Sequence, residues 1–170
     1  KVGDRLVIEA PLGTFVPRED SERPMLFMAG GTGFAPVKAI IEHFLELGTR
    51  RPMHVYWGAR QAEDLYLIEL ARDCDRRGPA LRFTPVLSGA GAAQAAVIRG
   101  SLVHEALLAD YPDLSGFDVY MSGPPAMIQL GRDAFAAAGL PDDRLYFDSF
   151  DLAPDVLAEI LKGRAGIHGL

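Results

Sequence analysis

Between Met25 and Phe147 the chain carries five short apolar runs, separated by stretches of helical hydrophobic spacing, and this alternation is what most limits its fold. Met25 to Ala29 is a continuous apolar run of the kind buried on both faces of a parallel sheet. Met53 to Trp57, Leu81 to Leu87, Phe117 to Met121 and Arg144 to Phe147 read as the other four strands. Between them, Val37, Ile40, Ile41, Phe44, Leu45 and Leu47 form a helical stripe ended by Gly48. Further helices are predicted over Ala62 to Asp75 (stopped by Gly78-Pro79), Leu102 to Ala109 and Ala126 to Ala138. Strands alternating with helices imply an α/β fold: a three-layer, open, parallel five-stranded sheet with right-handed crossovers. In such a sheet ligands bind beyond the carboxyl ends of the strands, where the strand order switches. The loops after Ala29, Trp57, Leu87, Met121 and Phe147 are therefore the ones to search.

The rest of the chain adds little to that frame. Arg5 to Ala10 alternates as a half-buried strand does and is closed by Pro11-Leu12-Gly13. Ser88 to Ala96, rich in Gly and Ala, reads as a flexible loop, and Asp155 to Lys162 as a terminal helix before a frayed Gly-rich end. A length of 170 residues suits one domain with a short appendage. The opening Lys1-Val2-Gly3-Asp4, without an initiator Met, reads as the interior of a longer protein.

Composition excludes several classes. A net charge of −6 argues against a broad nucleic-acid surface, which needs clustered Lys and Arg. The longest apolar stretch, Pro24 to Val37, is interrupted by three glycines and falls short of a membrane helix. Cys74 is the sole cysteine, so this chain holds no disulfide framework and no cysteine-based zinc or iron–sulfur site. A reducing, cytoplasmic setting is the expectation.

Two loops carry the chemistry. The first reads Met28-Ala29-Gly30-Gly31-Thr32-Gly33-Phe34-Ala35-Pro36, in which Gly31, Gly33 and Pro36 form G-x-G-x-x-P between a strand and a helix. Glycines let a pyrophosphate approach the backbone, and the free N–H groups of a helix start favour its negative charge. Pro36 fits the first helical turn, where no N–H is needed. Alone, the pattern is equally a tight turn without a ligand, and it departs from the usual dinucleotide fingerprint, which ends in Gly or Ala. The second loop is Met121-Ser122-Gly123-Pro124-Pro125-Ala126-Met127 at the end of the fourth strand. Taken by itself it suggests a helix capped by Ser122 with prolines in its first turn.

Together these loops resemble the pyridine-nucleotide-binding domain of the ferredoxin–NADP reductase superfamily, most closely its bacterial oxygenase-reductase and CDP-6-deoxyglucoseen reductase type. The matching pieces are Pro11-Leu12-Gly13-Thr14-Phe15, the loop from Ala29 to Pro36, Tyr56-Trp57-Gly58-Ala59-Arg60, Leu102-Val103-His104-Glu105 and Ser122-Gly123-Pro124-Pro125, in family order. The resemblance implies residues 1–20 as the tail of a FAD-binding barrel, 21–154 as the NAD(P)H-binding domain, and 155–170 as a C-terminal helix and frayed end. It implies that Gly30, Gly31, Thr32 and Gly33 line a pyrophosphate, with Pro36 starting the supporting helix. Gly58, Ala59, Arg60 and Asp64 are placed by the adenosine ribose, and Ser122, Gly123, Pro124 and Pro125 beside the nicotinamide. Many relatives have Cys where this chain has Ser122, which leaves the residue's catalytic part open. Asp148-Ser149-Phe150 falls where relatives approach the flavin, so Phe150 is a second catalytic candidate beside Ser122; simple packing over the strand end is the alternative.

The cofactors implied are NADH or NADPH, with FAD in the preceding domain and a [2Fe–2S] module elsewhere in the full protein. NADH is the expected choice, because Glu63 and Asp64 outnumber Arg60 near the ribose. The implied partners are the FAD domain of the same chain and an acceptor such as a ferredoxin module or oxygenase, with neither nucleic acid nor membrane. Two rivals remain: an NAD(P)H:flavin reductase of the same superfamily, and a nucleotide-sensing module without turnover. The other candidates are weaker. His43 and His54 have no second close ligand for a metal, Cys74 lies between two aspartates that disfavour its thiolate, and Arg50-Arg51 and Arg76-Arg77 read as solvated helix ends.

Overall fold

The structure is a computed structural model that describes residues 2–5, 7, 13–69, 73, 80–89 and 99–150. Among these, five strands form one sheet: β1 (Met25–Gly30), β2 (Met53–Ala59), β3 (Leu81–Leu87), β4 (Asp118–Gly123) and β5 (Leu145–Ser149). Their order is β3-β2-β1-β4-β5 and every pairing is parallel, as expected. The helices described over their full length are α1 (Phe34–Glu46), α2 (Val103–Asp110) and α3 (Pro125–Ala137).

The sheet is buried because its residues alternate between two apolar layers. On one face Phe27, Val55, Trp57 and Tyr120 pack with Phe34, Val37, Ile41 and Phe44 of α1. On the other, Leu26, Met28, Tyr56, Val119 and Met121 pack with Val103, Leu107, Ile128 and Phe135 of α2 and α3. All six residues of β1 are buried, which explains why its sequence is continuous rather than alternating. The chain moves from β1 outward to β3, then crosses to β4, so the order reverses between β1 and β4. Gly30 and Gly123 end the two strands that flank this switch point.

Several boundaries move. Helix α1 begins at Phe34, three residues before the predicted start, because Phe34 stacks on Trp57 with ring centroids 4.1 Å apart. Pro36 is consequently the third helical residue, still within the turn that lacks internal partners. Both β2 and β4 run two residues further than predicted, carrying Gly58, Ala59, Ser122 and Gly123 into the sheet. The predicted helix from Ala62 opens instead as a 3₁₀ turn, Ala62–Asp64, with the Asp64 carboxylate accepting the Gln61 N–H. Residues 70–72 and 74–75 of that predicted helix, most of the strand predicted over 5–10, the loop from 90 to 96 and the terminal helix lie outside the described residues, as do Cys74 and Arg76-Arg77.

Arg51 corrects the reading of Arg50-Arg51 as a solvated pair. It is buried, and its guanidinium donates to the carbonyls of Arg23 (2.8 Å) and Arg18 (2.9 Å) and to Asp118 Oδ2 (2.8 Å). The segment leading into β1 is thereby tied to the amino ends of β2 and β4. Phe15 packs edge-on against Tyr120 and the Arg18 guanidinium lies over the Tyr146 ring, so this segment covers β4 and β5 on the α1 side.

His54 is the second residue of β2. It is buried, and its ring nitrogens pair with Tyr111 Oη (3.0 Å) and Thr84 Oγ1 (2.8 Å). Burial, reinforced by the Arg82 charge, lowers its pKa to about 4, although Asp110 opposes the shift. The Tyr56 hydroxyl beside it donates to Asp110, whose carboxylate also accepts from Arg99. The Arg99 hydrogen bond is the leading reason that the Asp110 carboxyl is held below its usual range.

Candidate functional site

The carboxyl ends of β1 and β2 meet at Gly30 and Gly58, which are register partners. Neither position has room for a side chain: a Cβ on Gly30 would press on Met127 Sδ, and one on Gly58 would press on Val103. The missing side chains let α2 and α3 approach the strand ends while leaving the backbone open. A cleft of about 710 Å³ results, within the usual range for small-molecule sites.

Of the predicted residues, Gly30, Gly31, Thr32, Gly58, Ala59, Arg60, Asp64 and Pro124 line this one cleft. The glycines of the first loop divide the work. Gly31 sits at φ +52°, with open space where a side chain would project. Gly33 does not line the cleft; it lies against the backbone carbonyl of Ser122, so close that any Cβ would collide with it. Its role is to let the loop pack on β4. Pro36 lies behind the loop, inside α1, and also stays outside the cleft.

The loop is held from below. Trp57, fully buried, donates its indole N–H to the Gly31 carbonyl at 2.9 Å. Tyr66 meets the same indole edge-on, at 5.2 Å between centroids, and is 49% exposed at the cleft wall. Arg60 and Glu63 flank this wall together with Asp64, whose carboxylate is partly engaged by its own turn.

Ser122 departs from the capping reading. The cap of α3 is Pro124, while Ser122 lies within β4, fully buried, and its Oγ has no hydrogen-bond partner among the described residues. It is the register partner of Ala29 on β1 and of Asp148 on β5. Ser122 follows Tyr120 by two residues, so it shares the α1-side face over which the segment containing Phe15 runs. Gly123, at φ +153°, packs against Gly30 and the Met127 side chain and is buried beneath the cleft. Pro125 lines a second groove, with Phe147 and Ser149. Phe150 is 38% exposed, and its backbone N–H donates to the Gly123 carbonyl at 3.0 Å. Its backbone is therefore anchored beside the second loop.

Sequence reasoning missed part of the cleft. Tyr66, Ser88, Ser101, Leu102, Met127 and Leu130 line it, as do Val103 and His104. Met127 had a signal, since it closes the second loop, about one helical turn after Pro124. Ser88 follows the third strand, at an edge the parallel-sheet rule had marked. Tyr66 had none.

The geometry fits a dinucleotide. A glycine-rich backbone turn leads into α1 from the floor of the cleft, one wall carries an aromatic ring and charged side chains, and the far end reaches Pro124. Residues 27–133 match the family model described as the oxidoreductase NAD-binding domain. The chain is 39% identical over 150 residues to the CDP-6-deoxy-L-threo-D-glycero-4-hexulose-3-dehydrase reductase of Yersinia pestis, covering 88% of this chain and 44% of that protein. It is 30% identical over 152 residues to the propane 2-monooxygenase reductase component of Rhodococcus jostii, covering 88% of this chain and 41% of that one. Among solved structures, the Amycolatopsis cytochrome P450 reductase GcoB superposes with a TM-score of 0.75 at 34% identity, over 83% of this chain and 42% of that chain. This chain thus spans less than half the length of these relatives.

Proposed function

The chain belongs to the oxidoreductase NAD-binding domain family of the ferredoxin reductase superfamily, and from that premise we propose that it is the NAD(P)H-docking part of a flavoprotein electron-transfer reductase. The observation that carries the reading is the convergence of Gly30, Gly31, Thr32, Gly58, Ala59 and Arg60 on one cleft at the strand ends. In this reading the pyrophosphate lies over Gly31 and Thr32, the adenosine ribose lies by Arg60, Glu63 and Asp64, and the nicotinamide reaches Pro124. Residues 21–154 form the nucleotide domain, 1–20 the end of a preceding flavin domain, and 155–170 an appendage.

When bound, the reduced nicotinamide would supply a hydride to a flavin that the proposed preceding domain would hold, with electrons going on to an iron–sulfur centre or oxygenase-type partner. This chain's residues position and exclude. The buried Ser122 hydroxyl, Asp148 and Phe150 are the groups proposed to border the reacting atoms, with Ser122 and Phe150 in the catalytic roles. Support comes from the segment at Phe15 and Arg18, which brings the chain over the face that carries Ser122 and Asp148. The buried Ser122 Oγ, with no hydrogen-bond partner among the described residues, is a further support for this reading.

NADH is the proposed donor. One cation, Arg60, stands against Glu63 and Asp64 where a 2′-phosphate would sit, so the local charge favours the unphosphorylated ribose. No described helix is long and apolar enough to cross a membrane. A cytoplasmic location is proposed from the single cysteine. The test is rapid-mixing reduction of the full-length protein's flavin by NADH and NADPH. Saturable bleaching with NADH preferred supports the proposal, and absence of flavin reduction by either nucleotide overturns it. A preference for NADPH beyond about tenfold, roughly 1.4 kcal/mol, reverses the donor assignment alone.

A further inference from the structure

The Gly31 carbonyl accepts two N–H groups, one from the backbone of Phe34 and one from the Trp57 indole at 2.9 Å. Both of its lone pairs are therefore engaged on the α1 side of the sheet. In a trans peptide the C=O and the following N–H point in opposite directions. Holding the Gly31 carbonyl toward the core aims the Thr32 N–H away from it, at the point where Gly31 and Thr32 line the cleft. Glycine at φ +52° is what allows the chain to take this orientation, but glycine also leaves the peptide free to turn over. A second restraint has to come from elsewhere.

Trp57 is built to supply it. The indole is fully buried, stacked on Phe34 with ring centroids 4.1 Å apart and planes 14° from parallel, and edge-on to both Tyr66 and Phe83. Its position is set by β2, where it is the register partner of Ala29, two residues before Gly31. A ring fixed on three sides presents its N–H in one direction. Apolar packing alone does not require a donor here, since phenylalanine fills most of the same volume.

We propose that Trp57 is a positioning residue for the dinucleotide: its indole N–H fixes the Gly31–Thr32 peptide so that the Thr32 N–H faces the pyrophosphate. The inference deepens the dinucleotide reading above and rests on it. Trp57 touches no ligand itself. Its effect is confined to ligands that carry the pyrophosphate, and that confinement separates positioning from general support of the fold.

The experiment is calorimetric titration of wild-type chain and Trp57→Phe with NAD⁺, ADP-ribose and adenosine. Trp57→Phe retains an aromatic ring against Phe34 and Tyr66 while removing the donor. The expected result is that NAD⁺ and ADP-ribose both bind about fivefold to tenfold more weakly, the range of one neutral hydrogen bond. Adenosine, which has no phosphate, should bind as before. Because Trp57 is the chain's only tryptophan, incorporation of benzothienylalanine in place of tryptophan gives a second variant, nearly isosteric and lacking the N–H. It should reproduce the same pattern, and it decides the matter if the phenylalanine variant does not fold. Unchanged ADP-ribose affinity, or equal weakening of adenosine, overturns the inference while leaving the cleft assignment standing. Failure of the wild-type chain to bind NAD⁺ or ADP-ribose overturns both.

Discussion

Ser122 and Asp148 are register partners across β4 and β5, on the face of the sheet over which the chain enters at Phe15. The hydroxyl is fully buried with no hydrogen-bond partner among the described residues, and the carboxylate is half-buried beside it. A buried hydroxyl without a partner costs stability rather than adding to it, so its removal has a sign that can be measured.

Ser122→Ala should leave the fold as stable as before, or more stable by up to about 1 kcal/mol, since it removes an unsatisfied group. In the full-length protein it should slow flavin reduction at saturating nucleotide more than it weakens binding, the mark of an interaction made in the transition state. Rapid mixing separates the two effects. A limiting rate equal to wild type, with only the dissociation constant raised, removes Ser122 from catalysis.

The two inner glycines should fail differently. Gly33→Ala drives a carbon into the Ser122 carbonyl, a backbone atom with nowhere to go, and should cost about 3 kcal/mol or more of stability. Gly31→Ala meets no neighbour but must hold φ +52°, at about 1–2 kcal/mol. Denaturant unfolding ranks them, and the reverse order would contradict the packing described here.

Removing the buried guanidinium in Arg51→Met leaves Asp118 facing the core without its closest cation, at about 3–5 kcal/mol. Arg144, 3.6 Å from the other carboxylate oxygen, is partly exposed and compensates only in part. The double variant Arg51→Met/Asp118→Leu should recover much of the loss. A double variant no more stable than Arg51→Met would show that the pair is not the source.

His54 makes stability pH-dependent. Its folded pKa, near 4, lies below the ordinary value of 6.5, so between these limits the unfolded chain holds the proton that the folded one refuses. Stability is therefore full above about pH 6.5, falls as pH drops through this window, and levels off near pH 4 in respect of this group. His54→Gln, which can still bond Thr84 and Tyr111, should flatten that part of the profile in thermal unfolding. An unaltered slope would mean that other groups carry it.

Much of this was legible from sequence because parallel sheets write their burial plainly. Met25 to Ala29 and Leu81 to Leu87 are bounded by turn residues, and the structure places strands there with shifts of at most one residue. Tertiary contacts blurred other boundaries: the stack of Phe34 on Trp57 starts α1 early, and no helical periodicity encodes it. Arg51 reads as a surface cation in any local window, because Asp118 lies 67 residues away. Ser122 carries the small polar character of a helix cap, and only the two-residue extension of β4 reveals it as a strand residue. Gly33 was legible as an invitation to a close approach, but the approaching group is the Ser122 carbonyl rather than the ligand.

The central claim, that the strand-end cleft binds a dinucleotide, is tested most directly by amide-resolved NMR titration of the chain with NAD⁺. Saturable shifts should concentrate at Gly30 to Thr32, Gly58 to Arg60, Tyr66 and the start of α2, while the amino ends of the strands around Arg51 and Asp118 stay still. Shifts confined to other surfaces, or no saturable shifts at millimolar NAD⁺ and NADH, would contradict it.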